Sequence, residues 1–338
     1  MENEIITLAH GSGGNASLKL INNYIKKYFS NKVLNKMEDA AVLDLKAKKI
    51  AMTTDSFVIS PIFFAGGDIG RLSICGTVND LAAMGARPIY ITVGLILEEG
   101  LLLKDLEKII ISMKKTADEA GVIIVAGDTK VVNRGKADKI FINTTGIGKI
   151  ISNKNEISSS NAKSGDSLII TGSIGDHEVA ILKEREGLEL KVKICSDTAP
   201  LNKIIEKLLK NKVWIDAMRD PTRGGLATIM NEIALSSGVD IEIDESKVPI
   251  KATVVSVCDI LGFDPFYLAN EGKMLIICHK SHEKKALKLL RSTKYGRNAQ
   301  IIGRVTEKSS KPQVVLKTRI GGERILFITE GEQLPRIC

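Results

Sequence analysis

The stretch IGRLSICGTVNDLAAMG, residues 69–85, decides how the first half of this chain folds. Its apolar and small residues recur at helical spacing, and Gly85 marks the end of the helix that this pattern predicts. Asn79 and Asp80 interrupt the otherwise apolar helix. Because a buried carboxylate without a partner costs several kcal/mol, the sequence predicts a cation or a cluster of hydrogen-bond donors beside Asp80.

Strands and helices mix irregularly on both sides of this helix. In the first half we predict strands at 40–45, 50–54, 89–96, 122–126 and 140–145, and helices at 18–29, 69–84 and 103–120. In the second half we predict strands at 168–171, 241–243, 274–278 and 300–305, and helices from 176 and at 202–210, 224–236, 252–261 and 283–290. The polar stretch 152–164 is typical of a linker. The pattern predicts an α+β or α/β fold in two domains, 1–154 and 155–320, followed by a tail at 321–338.

The composition is that of an ordinary globular protein. The chain has 338 residues, 44% hydrophobic and 26% charged, and no apolar run near the ~18–20 residues of a membrane helix. Its net charge of +8 would suit a nucleic-acid partner, but an aromatic content of only 4% disfavours one. The N-terminus lacks the pattern of a signal peptide and the five cysteines are an odd number, so we expect a reducing cytoplasm.

Four aspartates lie at the ends of predicted elements or within the apolar helix. Asp55 and Asp128 follow strands, Asp39 precedes one, and Asp80 lies in the helix. Carboxylates that converge from such positions suit Mg²⁺, which usually binds together with nucleotide phosphates. The alternative is that each aspartate is a helix cap or a turn residue.

Two short motifs, GDTK at 127–130 and NEGK at 270–273, each offer a carboxylate and a lysine near a glycine. Glu271 could act as a general base, and Lys130 could hold a phosphoryl group or an oxyanion. The alternative for both motifs is a surface turn with an ion pair. The glycine-rich segment 11–14 offers backbone amides to phosphate, although the chain has no Walker motif and no dinucleotide fingerprint.

Cys338 differs from the other four cysteines because it is the last residue of this sequence. Gly331, Pro335 and Arg336 precede it and are typical of a flexible segment that carries the thiol away from the body. A nearby arginine and an exposed position favour the thiolate, which is the nucleophilic form. The thiol therefore resembles that of a carrier arm, with an incidental terminal cysteine as the alternative. The other cysteines form no CxxC pair, and their apolar or helical contexts predict buried structural thiols.

Nine stretches carry a family resemblance: LAHGSGG (8–14), TTDSFVISPIFFAGGDIG (53–70), GTVNDLAAMGARP (76–88), GDTKVV (127–132), INTTGIG (142–148), TGSIGDH (171–177), DPTRGGLA (220–227), NEGK (270–273) and PRIC (335–338). In this order they resemble the HypE family of nickel–iron hydrogenase maturation, the carbamoyl dehydratases. The family is part of the aminoimidazole-ribotide-synthetase-like (PurM-like) ATP-binding superfamily. The resemblance implies a homodimer whose N-terminal domain helps to bind ATP across the subunit interface, a C-terminal α/β domain and a mobile tail.

The resemblance also implies a reaction and its partners. The carbamoyltransferase HypF delivers a carbamoyl group to the terminal cysteine. ATP then drives dehydration of this thiocarboxamide to a thiocyanate, and the cyano group passes to iron on the HypC–HypD scaffold. On this basis Cys338 carries the substrate, Glu271 is the base on its nitrogen, and Lys130 stabilises the transferring phosphoryl group. The implied magnesium ligands are Asp39, Asp55, Asp80 and Asp128. The superfamily often has Asp-Asp where this chain has Glu38-Asp39. The implied nucleotide site also contains Asn79, Gly13 and Gly14.

The residues alone leave two other functions open. Another ATP-dependent kinase or synthetase of the superfamily would turn over a soluble substrate without needing Cys338. A non-catalytic scaffold would bind nucleotide without hydrolysis and would be indifferent to Lys130 and Glu271. A selenophosphate synthetase is disfavoured, because it would need a reactive cysteine or selenocysteine near the N-terminus and the sequence has no cysteine before Cys75.

Overall fold

The computed structural model describes residues 4–12, 14–37, 40–151, 156–185, 193–328 and 337. These residues form a four-stranded sheet in the first half of the chain and a seven-stranded sheet in the second half, with helices packed against both. The predicted mixed α/β fold in two domains is confirmed. Within these ranges no helix combines the length and the apolar character that crossing a membrane requires.

The first half forms strands β1 (Ile50–Phe57), β2 (Phe63–Phe64), β3 (Gly67–Asp68), β4 (Ala86–Glu98), β5 (Ile123–Val132) and β6 (Ile140–Ile150), and helices α1 (Gly14–Leu20), α2 (Lys27–Phe29), α3 (Ile69–Ala83) and α4 (Leu103–Ala120). A π-helical segment, Ile21–Lys26, joins α1 to α2. The four-stranded sheet has the order β1-β6-β4-β5, so β1 and β5 are its edges. Strands β4 and β5 are parallel, and α4 supplies the crossover that a parallel pair requires.

The second half forms strands β7 (Ser167–Ile170), β8 (Ile215–Arg219), β9 (Val239–Asp244), β10 (Leu275–Cys278), β11 (Gln300–Lys308), β12 (Val314–Lys317) and β13 (Glu323–Leu326), and helices α5 (Asp176–Arg185), α6 (Asn202–Lys210), α7 (Gly225–Ser237), α8 (Ala252–Leu261) and α9 (Glu283–Arg291). The sheet order is β13-β12-β9-β11-β7-β10-β8. The helix predictions for this half are confirmed to within one residue. Strand β8 is not predicted because nearly all of it is buried, so its sequence shows no alternation.

Helix α3 connects the two halves of the molecule. It is buried along most of its length and packs on β1 and β6 as well as on α6 and β8. Gly76 allows close approach to β1, because a Cβ atom there would lie 2.8 Å from the ring of Phe57. The small residues of the opening stretch are therefore contact residues, and they place Asp80 where both halves meet.

The structure also differs from the predicted elements at residues 40–45 and in the predicted tail. Residues 40–45, predicted as a strand, pair with no strand in the described ranges, and Val42 is 85% exposed. Apolar alternation alone does not make a strand where no neighbour completes the hydrogen-bond ladder. At the other end, β13 pairs with β12, so the second sheet extends into the predicted tail from 321. The predicted boundary at 154/155 lies outside the described residues.

Ile337 is packed against the body of the molecule. This residue is 4% exposed and forms an antiparallel bridge with Ile59, between β1 and β2. Its side chain belongs to the same apolar core as Phe57 and Phe64. The residue before the predicted carrier cysteine is therefore held in the core.

Candidate active site

Four carboxylates from both halves of the chain lie near one another beside α3. Asp55 lies on β1, Asp80 on α3, Asp220 directly after β8, and Glu271 in the turn before β10. The Thr53 hydroxyl fixes Asp80 by donating to its Oδ2 at 2.8 Å. Glu271 is buried, and its Oε1 has no hydrogen-bond partner among the described residues. These four side chains are called the acidic cluster below.

The acidic cluster is electrostatically unfavourable when its members are ionised. Burial is the largest cause that raises the pKa of each member, and neighbouring carboxylates add to it for Asp55, Asp220 and Glu271. The pKa of Asp220 rises to about 7, and that of Glu271 rises well above its usual range. Arg219 and Arg223 oppose these shifts without cancelling them. A cation or a proton is stabilised at such a place because it relieves the repulsion.

The turn that carries Glu271 also contacts the carboxylate of Asp197, whose negative charge is compensated by Lys273. Burial opposes its ionisation, but the Lys273 ammonium, 2.8 Å from Asp197 Oδ2, holds the pKa of Asp197 below its usual value. Asp197 Oδ1 accepts the Glu271 N–H at 3.0 Å. Only glycine fits at 272, because a Cβ atom there would overlap the Asp197 carbonyl oxygen. The NEGK turn is buried, so the alternative of a surface turn is wrong for this motif.

Asn79, predicted for the nucleotide site, joins the two halves of the chain. Its amide nitrogen donates to the Ala199 carbonyl oxygen at 3.1 Å, and its amide oxygen accepts the Leu201 N–H at 2.8 Å. These bonds fix the segment that contains Asp197 against α3. A contact between Asn79 and a nucleotide stays a prediction.

Asp128 and Lys130 lie at the opposite edge of the first sheet. Two strands separate β5 from β1, which at strand spacings of about 4.8 Å makes the edges about 14 Å apart. Lys130 Nζ lies 3.4 Å from Asp128 Oδ1, and the two side chains are 67% and 68% exposed. Their register partners on β4, Gly94 and Ile96, belong to the sheet face that α3 leaves open. Within one chain, the structure does not bring Asp128 and Lys130 to the acidic cluster.

The glycine-rich start of the chain packs against this same edge. A Cβ atom at Gly11 would lie 2.7 Å from the Val131 nitrogen. A cavity of about 350 Å³ separates the first helices from β5, and Gly11, Asp128 and Lys130 line it. These three residues are called the β5 edge below. Gly14 begins α1 beside it, whereas the predicted site residues Gly13, Asp39 and Cys338 lie outside the described residues.

The acidic cluster fits a magnesium ion better than a metal that needs a protein cage. In the described ranges, no three His, Cys, Asp or Glu side chains are arranged to enclose a metal ion. Mg²⁺ usually keeps several waters and binds through one or two carboxylates together with substrate phosphates. The uncompensated negative charge around Asp55 and Asp80 matches that requirement.

Asp197 and Asp220 are the site residues that the sequence predictions omit. Asp220 directly follows a buried strand, as Asp55 was predicted to do, and this signal was hidden because β8 is not recognisable from its sequence. Asp197 lies in an irregular segment. Its partner Lys273 is distant in the chain, so no local pattern marks the pair.

The two halves of the chain match two family models. AIR synthase related protein, N-terminal domain, matches residues 37–150, and AIR synthase related protein, C-terminal domain, matches residues 163–315. The fold and the site at the junction of its halves therefore define a two-domain protein of the AIR synthase related class.

Full-length relatives define the family within this class. Carbamoyl dehydratase HypE of Azotobacter vinelandii is 44% identical over 338 residues, which cover 100% of this chain and 98% of that protein. The crystal structure of hydrogenase maturation protein HypE in complex with ATP matches with a TM-score of 0.94 at 48% identity, over 98% of this chain and 99% of that one. A chain of the HypE–HypF complex matches with a TM-score of 0.80 at 46% identity, over 92% and 99%. The chain belongs to the HypE family, the carbamoyl dehydratases of hydrogenase maturation.

Proposed function

We propose that this enzyme uses ATP to dehydrate a thiocarboxamide on the Cys338 thiol to a thiocyanate, the source of the cyanide ligand of iron in nickel–iron hydrogenase. The observation that carries the proposal is Glu271, a buried carboxyl group with an unpartnered Oε1 and a raised pKa. Such a carboxylate takes up a proton more readily than an exposed one. The ATP bound to the related HypE supports ATP as the second substrate.

The reaction balances with ATP as the only co-reactant. The amide oxygen of the thiocarboxamide attacks the γ-phosphorus and ADP leaves, which turns a poor leaving group into a good one. The nitrogen then loses both protons, one of them to Glu271, while the C–O bond breaks and phosphate leaves. The electron pairs of the two N–H bonds complete the C≡N bond. The products are thiocyanate, ADP, phosphate and a proton.

The acidic cluster would hold the magnesium ion that accompanies ATP. Asp55 and Asp80 are its proposed ligands, and Asp220 adds negative charge beside them. When bound, the ion neutralises charge on the phosphate oxygens during phosphoryl transfer. Asp39 and Asp128 remain proposed ligands, the latter from a second copy of the chain.

A homodimer would bring together the acidic cluster and the β5 edge, which lie apart within one chain. Strands β1 and β5 are both edges, and the open sheet face between them exposes Ile50, Met52, Ile96 and Ile123. An exposed apolar patch that lies on one face is typical of an interface between identical copies. Paired faces would bring the β5 edge of one protomer to the acidic cluster of the other. Lys130 would then stabilise the transferring phosphoryl group, with Asn79, Gly13 and Gly14 in the nucleotide site.

Subunit complementation tests the shared site. Lys130→Ala and Glu271→Gln chains, each inactive alone, are mixed under conditions of subunit exchange. Each mixed dimer has one site with both residues intact, so about a quarter of wild-type activity returns with random pairing. If no activity returns although mixed dimers form, both residues act within one chain and the shared site is wrong.

The carbamoyl donor and the cyano acceptor are proposed to be other proteins. The complex of a related HypE with HypF supports HypF as the donor. The HypC–HypD scaffold, with its iron, is the proposed acceptor. Both must reach a thiol at the end of the chain, which a carrier arm allows.

The mass of the C-terminal peptide tests the proposed reaction. The full-length chain is incubated with the carbamoylated partner, then with Mg²⁺ and ATP. The peptide that ends in Cys338 should gain one carbamoyl group and then lose one water, and the Cys338→Ala chain should do neither. The Cys195→Ala chain is the matched control and should behave as wild type. A cyano product from Cys338→Ala, or ATP turnover without loss of water, contradicts the proposal.

A further inference from the structure

A buried histidine contacts the C-terminal segment, and the proposed reaction does not use it. His177 lies in the first turn of α5 and is fully buried. Its Nε2 lies 2.6 Å from the Ile337 carbonyl oxygen, and its Nδ1 lies 2.8 Å from Ser196 Oγ. Because a carbonyl oxygen only accepts, Nε2 carries the ring proton and donates it, and Nδ1 accepts from the Ser196 hydroxyl.

The surroundings of His177 fix this arrangement. Ser196 Oγ accepts the Thr198 N–H at 3.1 Å and lies 2.6 Å from Thr198 Oγ1. Because Nδ1 can only accept once Nε2 carries the ring proton, the Ser196 hydroxyl donates to the ring and accepts from the Thr198 hydroxyl. The ring of Phe64 contacts the imidazole edge-on, with 5.7 Å between the ring centroids. Burial lowers the pKa of His177 and keeps the ring neutral. The single donor of the imidazole is therefore directed at Ile337.

Residue 337 is held through its backbone and its side chain. The carbonyl oxygen accepts from His177, the backbone bridges to Ile59, and the side chain packs in the apolar core. The acceptor that His177 holds lies 160 positions away in the chain, one residue before Cys338.

The loop that hydrogen-bonds to His177 also hydrogen-bonds to Glu271. Ser196 contacts His177, the next residue Asp197 accepts the Glu271 N–H at 3.0 Å, and Arg71 Nε donates to the Thr198 carbonyl oxygen at 2.9 Å. Three consecutive residues thus fix the docked segment and the proposed base to one support, which α3 anchors through Arg71.

We propose that His177 is a positioning residue: it docks the C-terminal segment through the Ile337 carbonyl and so delivers the Cys338 thiol to the site of Glu271. This inference rests on the proposed role of Cys338 as carrier. His177 takes no part in bond making. It sets the fraction of time for which the carrier is in place.

The first measurement is the rate at which iodoacetamide alkylates Cys338 in the full-length chain without nucleotide, followed by mass spectrometry. His177→Phe keeps a ring but removes the donor, and we expect Cys338 to react about tenfold faster, the factor that loss of one buried hydrogen bond allows. His177→Gln, whose amide can donate to the same carbonyl, should restore most of the protection. Ser196→Ala removes the partner of Nδ1 and the hydroxyl bonds to Thr198 but leaves the donor to Ile337 in place. It should give a smaller increase, so it tests docking even if His177→Phe does not fold.

Cys195 is the internal reference for these rates. It is exposed, so the prediction of a buried thiol is wrong for Cys195, whereas Cys75, Cys258 and Cys278 are buried as predicted. An unchanged alkylation rate at Cys195 shows that the neighbouring loop has kept its place.

The second measurement is single-turnover dehydration after carbamoyl loading. His177→Phe should load normally and dehydrate slower by a factor similar to the gain in alkylation, and His177→Gln should recover the rate. Unchanged Cys338 alkylation in His177→Phe and Ser196→Ala, or no rescue by His177→Gln, overturns the proposal. Alkylation needs neither ATP nor turnover. A wild-type chain that protects Cys338 through His177 but never dehydrates would contradict the proposed function and support the docking role.

Discussion

Asp197 and Glu271 carry two buried carboxylates, and the Glu271 N–H donates to the Asp197 carboxylate, yet the electrostatic surroundings of the two are opposite. Asp197 pairs with Lys273, which lowers its pKa despite burial. Glu271 faces the carboxylates of the acidic cluster, and burial together with their charge raises its pKa. One side of the turn therefore carries a fixed anion and the other a proton acceptor. The charge of the neighbours, more than burial itself, decides which carboxylate is available for chemistry.

Removing the Lys273 ammonium, which compensates the charge of Asp197, should have the largest effect on stability. Lys273→Met leaves the Asp197 carboxylate buried without a counter-ion, which costs about 3–5 kcal/mol. We expect the Tm to fall by roughly 10 °C, measured by calorimetry without nucleotide.

Two controls separate this effect from loss of an ordinary ion pair. The double variant Asp197→Asn/Lys273→Met should recover most of the stability, because it removes both charges. Lys49→Met, which breaks the exposed pair with Glu156, should change stability by less than about 1 kcal/mol. A Lys273→Met chain as stable as Lys49→Met would show that Asp197 needs no compensation.

Neutralising the uncompensated carboxylate, that of Glu271, should stabilise the protein. Glu271→Gln keeps the shape of the side chain and removes the cost of a carboxyl group that the native state keeps from ionising freely. We expect the Tm at pH 8, without Mg²⁺ or nucleotide, to rise by about 2–4 °C, the shift that corresponds to about 1 kcal/mol. A lower Tm would mean that Glu271 contributes to folding, as Asp197 does.

Asp197 and Glu271 should also make the stability of the protein depend on pH in different ways. The raised pKa of Glu271 makes it a destabilising group above its ordinary value of 4.5, so the advantage of Glu271→Gln should shrink as the pH falls from 8 toward 4.5. The lowered pKa of Asp197 makes it a stabilising group above 3.8, and that contribution is lost as the pH falls through the native pKa. Urea unfolding of wild type, Glu271→Gln and Asp197→Asn at several pH values should give differences of opposite sign at pH 8. Differences of the same sign would contradict the comparison.

Local patterns predicted the framework of the fold because they follow from periodicity along one segment. The helix at 69–84 and the helix at 103–120 are visible in the sequence, and α3 and α4 confirm them. The strand expected at 40–45 is absent because a strand also needs a neighbour in space, which no local pattern supplies.

The convergence of side chains was only partly predictable. Asp55 and Asp80 come together as expected because β1 packs directly on α3. Asp128 does not join them, since the sheet order places β5 at the far edge, and that order depends on pairing between distant strands. The pair of Asp197 with Lys273 depends equally on long-range contacts. Residue types and motifs indicated the chemistry, and the topology decided which residues share one chain's half of the site.

Single-turnover dehydration after carbamoyl loading of Cys338, compared in wild type, Glu271→Gln and Asp197→Asn/Lys273→Met, tests most directly which carboxylate is the base. We expect Glu271→Gln to slow the reaction by about 10²–10⁴-fold, the range for loss of a general base. We expect the double variant, with its fixed ion pair replaced, to dehydrate close to the wild-type rate. A double variant as slow as Glu271→Gln, or a Glu271→Gln chain as fast as wild type, would show that Glu271 is not the base that the reaction needs.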